Sequence, residues 1–170
     1  GSLVYANVST EARAEVFDTG WPAEITYGEI KPYYDKVAKF MNVQCIPEEQ
    51  MPARYQLMKR AAEAKGWGDR FLPMEQCIEF DKDLDMAGLR AAPDPEPFVK
   101  KFKNQHGVAV GTCVHCGNCD IGCTYGAKST LDVNYIPVAE RAGAEFRPLH
   151  VVTTIVPEKG GGYVVRFDRL

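Results

Sequence analysis

Four cysteines fall within one short stretch, "GTCVHCGNCDIGCTYGAK". Cys113, Cys116, Cys119 and Cys123 are spaced C-x2-C-x2-C-x3-C. Thiolates ligate zinc and iron, and this spacing coincides with the run that binds iron–sulfur clusters in bacterial ferredoxins. Gly117 and Gly122 permit the tight backbone that wrapping a cluster requires. Two features depart from that run: Thr124 stands where proline usually follows, and no second run supplies a second cluster. Zinc is an alternative, with His115 as a fifth candidate ligand, although structural zinc sites usually separate two ligand pairs by roughly a dozen residues. A third reading makes the four cysteines small packed thiols, with or without one disulfide. Cys45 and Cys77 are isolated and read as ordinary buried residues, and His106 and His150 have no companion ligand.

The elements that must position this run are those of a mixed α/β chain. Leu3 to Val8 reads as a short buried strand, and a turn follows at Gly20-Trp21-Pro22. Thr26 and Glu29 have capping-box spacing and predict a single helical turn. Pro32 then suits the first position of a main helix, with Tyr33, Tyr34, Val37, Phe40 and Met41 as its core-facing stripe. A second helix is predicted from Pro52 to Lys65, closed by Gly66. Residues 66–112 carry a possible strand at Met74–Phe80 and the cluster "APDPEPF", which favours extended backbone. Thr130 to Arg141 reads as a helix with a kink or restart at Pro137. A short strand "AEFRPL" and a hairpin follow, "HVVTTIV" and "YVVRF" joined by "PEKGGG".

The chain has 170 residues, enough for one domain with a real core, and a composition of 45% apolar and 25% charged residues is that of a globular protein. A net charge of −3 does not favour nucleic acid or anionic membrane as a partner. Lys100, Lys101 and Lys103 read as a solvated patch. No apolar run approaches the roughly 18 residues that span a bilayer. Six cysteines, four crowded together, suit a reduced or metal-binding protein better than a disulfide scaffold.

Beyond the cysteines the chain continues "YGAKSTLDVNYIPVAERAGAEFRPLHVVTTIVPEKGGGYVVRF". This resembles the FAD-dependent glucose–methanol–choline oxidoreductases, in their cholesterol-oxidase-like branch. Lys128, Leu131, Asp132, Tyr135, Val152, Ile155 and Gly161-Gly162-Tyr163 fall on the helix, strand and hairpin motifs of that family. The opening "GSLVYANV" is similar to its flavin-approach strand, and "WPAEITYGEIKPYYDKVAKFMNV" to its Trp-Pro turn and helix.

The resemblance implies the central fragment of a two-domain FAD-binding fold, with a dinucleotide domain and a substrate domain. It implies oxidation of an alcohol by hydride transfer to FAD, the substrate being a sterol or another bulky hydrophobic alcohol. Residues 1–112 would supply the flavin-approach strand, substrate-domain helices and lid-like loops, and 113–170 would belong to the FAD-binding domain. Val152 matches the valine whose backbone approaches the adenine. Ser2, Tyr5, Ala6 and Asn7 match the strand passing the isoalloxazine, with Tyr5, Ala6 and Asn7 replacing the usual asparagine and two glycines. The chain contains no G-x-G-x-x-G phosphate seat after a strand. That fingerprint and the catalytic histidine are expected elsewhere in a longer polypeptide, so none of these residues is assigned a catalytic role and the isolated fragment is expected to be inactive. The competing readings are an iron–sulfur electron-transfer module and a zinc-stabilised interaction module, both built on Cys113–Cys123.

Overall fold

The computed structural model describes residues 5–170. The chain divides into two compact units, Gly1–Pro137 and Val138–Leu170. The cysteine-rich segment lies in the first unit, together with the elements that precede it.

In the first unit, helix α1 spans Tyr27–Phe40. Thr26 Oγ1 accepts from the Glu29 amide at 3.3 Å, and Glu29 Oε2 accepts from the Thr26 amide at 3.1 Å, a complete capping box. The helix does not restart at Pro32, which lies within it. A proline there forfeits one bond, to the Gly28 carbonyl, and the capped first turn carries the helix past it. The predicted stripe is only partly buried. Tyr34, Phe40 and Met41 are half-covered, whereas Tyr33 and Val37 face solvent. The Phe40 ring lies 4.3 Å from that of His106 and 4.3 Å from that of Tyr135.

Helix α2 spans Ala53–Ala64, entered through Pro52 and left through Gly66 at φ +71°. Helix α3, Met86–Ala91, stands just before the proline cluster, where no helix is predicted. Asp85 starts it, its carboxylate accepting from the Ala87 and Gly88 amides at 3.1 and 2.9 Å. The prolines that follow admit one 3₁₀ turn, Glu96–Phe98. Strands β1, Gln44–Cys45, and β2, Glu75–Gln76, pair antiparallel, as do β3, Phe102–Lys103, and β4, Ala109–Val110. Of the predicted strand Met74–Phe80, only β2 and a bridge from Ile78 to Lys128 are regular. Leu3 and Val4 of the predicted first strand lie outside the described residues. Its end pairs with β2: Val8 bridges Gln76, and the Cys77 amide donates to Asn7 O at 2.9 Å. Cys45 is exposed on its two-residue strand, contrary to the sequence reading, and Cys77 is fully buried. Lys100 pairs with Asp81 at 2.7 Å and Lys101 with Glu96 at 3.1 Å.

The predicted helix 130–141 breaks at Asn134, not at Pro137. A 3₁₀ turn, Leu131–Val133, precedes helix α4, Tyr135–Arg141, and Pro137 sits in the first turn of α4, where its missing amide costs nothing. Asn134 is 0% exposed. Its amide group donates to Thr130 O at 2.8 Å, and its Oδ1 accepts from the Tyr135 amide at 2.6 Å, so it replaces helical backbone bonds at the break.

In the second unit "AEFRPL" forms no strand: Pro148 has no donor and Leu149 is turned to φ +60°. Strands β5, His150–Pro157, and β6, Tyr163–Arg169, form an antiparallel hairpin with a register shift between Val152 and Thr154. Its loop closes through the Glu158 amide on Gly162 O at 3.1 Å, with Gly161 at φ +92° and Gly162 at φ +91°. The described residues thus form a small mixed α/β structure built on two-stranded sheets.

Candidate functional site

The cysteine segment is a loop pinned at both feet to one central strand-like stretch, Cys77–Glu79. At one foot the Cys113 amide donates to Glu79 O at 2.8 Å. At the other the Glu79 amide donates to Ala127 O at 2.8 Å, and the Ser129 amide to Cys77 O at 2.9 Å. The feet also meet each other, the Gly111 amide reaching Gly126 O at 3.1 Å. A Cβ on Gly111 would stand 2.1 Å from the Tyr125 carbonyl oxygen, so only glycine allows this approach.

Between the feet the backbone turns left-handed at His115, Gly117, Gly122 and Gly126. These turns bring Cys113, Cys116, Cys119 and Cys123 to the lining of one cavity of about 20 Å³, room for roughly one water. Two sulfurs accept backbone N–H groups: Cys113 Sγ from His115 at 3.3 Å, and Cys123 Sγ from Ala127 at 3.2 Å. Burial pushes the Cys113 thiol up to about 11 and also raises Cys119. All six cysteines of the chain are free thiols.

His115 does not join the four sulfurs. Its Nε2 is hydrogen-bonded with Gln50 Oε1 at 2.8 Å, its ring stacks 5.9 Å from Phe80, and burial lowers its pKa. Among the described residues no three His, Cys, Asp or Glu side chains are set to hold a single metal ion. The zinc reading therefore loses its fifth ligand.

Lys128, only 5% exposed, lies beneath the loop. Its ammonium donates to Cys119 O at 2.8 Å and to Tyr5 O, and stands 4.6 Å above the Tyr5 ring. Among the described residues no carboxylate pairs with it. Lys128 thus ties the N-terminal segment to the cysteine loop. Sequence patterning offered no signal for that role, because both partners are main-chain carbonyls.

Of the residues matched to a flavin site, Ser2 lies outside the described residues. The Tyr5 hydroxyl donates to Ser129 O at 3.0 Å, and burial raises its pKa. Asn7 is buried at φ +63°, its amide donating to Gln76 Oε1 at 2.7 Å. Ala6 is exposed, and Val152 is 54% exposed on β5 in the second unit. The polar side chains are thus committed within the chain, and among the described residues no buried side-chain polar atom is left without a partner. The described residues do not by themselves fit FAD; Ala6 and Val152 offer only backbone.

A larger groove of about 590 Å³ runs beside the loop. Ile46, Ile78, Phe80, Met86, Leu89 and Val114 give it an apolar wall, and Cys113, Cys116 and Cys119 also line it.

Over 172 residues, 99% of its length, the chain is 32% identical to a cholesterol oxidase of Mycobacterium tuberculosis, found in two strains. Along nearly its whole length the chain is similar to one segment of cholesterol oxidase. It is also 29% identical over 162 residues, 94% of its length, to a cholesterol oxidase of Acinetobacter baumannii. It spans 28% of the length of each of these relatives. No family model matches the chain, and no solved structure does. These relatives give no support to a free-standing iron–sulfur module. No helix among the described residues is long and apolar enough to cross a membrane.

Proposed function

We propose that this chain is part of a flavin-dependent oxidoreductase of the glucose–methanol–choline family. In its full-length form the enzyme oxidises the CH–OH group of a sterol or another bulky hydrophobic alcohol by hydride transfer to FAD. The observation that carries this reading is the 32% identity to cholesterol oxidase along 99% of the chain. The groove supports it, since about 590 Å³ is in the size range of small-molecule sites and its wall is mainly apolar, with Gln50, Arg54, Gln76 and Arg90 as polar groups on it. In this reading the groove receives part of the alcohol. The phosphate seat and the catalytic acid–base groups are supplied by the rest of the polypeptide, so the 170-residue chain alone is inactive.

The test is anaerobic titration of the full-length protein. Bound flavin that bleaches with cholesterol but not with methanol supports the reading. A full-length protein that folds without flavin, or whose flavin no hydrophobic alcohol reduces, refutes it.

A further inference from the structure

We propose that Cys113, Cys116, Cys119 and Cys123 are the four protein ligands of one iron–sulfur cluster within this larger enzyme. The proposal rests on the loop and not on the flavin reading. Four thiols in the C-x2-C-x2-C-x3-C spacing line a single cavity, which the spacing alone does not guarantee. Backbone N–H groups already point at two of the sulfurs, at 3.3 and 3.2 Å, and such bonds stabilise thiolates and tune cluster potentials. Lys128 places a buried cation next to the loop, donating to Cys119 O at 2.8 Å, where a cluster with four thiolates carries net negative charge.

A single tetrahedral ion fits less well. It needs ligands gathered around one point, and no three candidate side chains among the described residues are so placed. A cluster spreads its ligands over several metal atoms. The present cavity of about 20 Å³ must open to admit it. The means are local: no atom lies within 4 Å of a Cβ built on Gly117 or Gly122, and Ile121 at the loop tip is 87% exposed. The feet at Cys113 and Ala127 stay pinned while the tip moves outward. On ligation each thiol releases its proton to solvent, and iron and sulfide are taken up from the medium.

The experiment is iron and acid-labile sulfide analysis of the full-length protein purified without oxygen, repeated after anaerobic reconstitution with ferrous iron and sulfide. About four of each per chain are expected, with a paramagnetic signal after dithionite reduction. Serine substitution at Cys113, Cys116, Cys119 or Cys123 lowers bound iron about tenfold, whereas C45S leaves it unchanged. Circular dichroism melts identify any variant that fails to fold, and the wild-type metal content then decides. Loading also slows proteolysis at the 117–122 tip. Reconstituted wild-type protein without iron and with four titratable thiols in the loop overturns the proposal, as does one zinc per chain.

Discussion

Replacing Lys128 by methionine keeps the aliphatic stem and removes the ammonium, so it isolates the electrostatic staple between Tyr5 and Cys119. Hydrogen bonds from a charged donor contribute about 1.5–3 kcal/mol each, and the ammonium makes two, to Tyr5 O and Cys119 O. The contact over the Tyr5 ring at 4.6 Å adds about 0.5–2 kcal/mol. Against this, methionine is spared the desolvation of a buried charge, which offsets a large part of the gain. The net loss is about 2–4 kcal/mol, and because the partners are loop carbonyls it falls locally. Hydrogen–deuterium exchange on the full-length protein reads it directly. Amides of segments 5–9 and 113–123 should exchange roughly 30- to 1,000-fold faster in K128M, while α2 is unaffected. The K128R variant recovers only part of the protection, since a planar guanidinium does not reproduce the geometry of a compact ammonium. Unchanged exchange at both segments in K128M would refute the staple.

Gly111→Ala forces a Cβ to 2.1 Å from Tyr125 O and should cost about 1–3 kcal/mol in urea unfolding, whereas Gly160→Ala, with open space around it, stays within about 0.5 kcal/mol. Asn134→Ala leaves the Tyr135 amide without its side-chain acceptor at the helix break, while the Thr130 carbonyl keeps the Val133 amide, and should lower stability by about 1–3 kcal/mol in the same assay. The Lys100 ammonium beside Asp81 holds that carboxyl below its ordinary range. Its stabilising effect is therefore fully present above about pH 4, the unfolded value, and fades as pH falls through the lower folded value. Urea midpoints between pH 2 and 6 should show a flatter acid limb in D81N than in the wild type.

What could be read from the sequence was local. Thr26 with Glu29, Pro52 with Gly66, and the glycines of "PEKGGG" act within a few residues, and each formed the cap or turn expected of it. The errors arose where a cap, a buried side chain or a distant partner overrides the preference of a single residue. Pro32 marks a helix start by propensity, but the cap at Thr26 had already begun the helix. Asn134, an ordinary polar residue in a helical pattern, buries its amide and breaks the helix there. Lys128 finds one partner, Tyr5, 123 positions away. The cysteine spacing was plain in the sequence, while the pinning of both loop feet to Cys77–Glu79 depends on contacts that no short window contains.

The hairpin of β5 and β6 has a practical consequence. Val151, Ile155, Val164, Val165 and Phe167 are all exposed, and a two-stranded ribbon leaves both outer edges with unpaired amides and carbonyls. Apolar, β-branched edges of this kind recruit further strands from neighbouring molecules. Handled as a separate polypeptide, this segment therefore tends to assemble into intermolecular sheets, with concentration and salt controlling the onset. A charged residue such as lysine at Val165 would act as a gatekeeper against that growth.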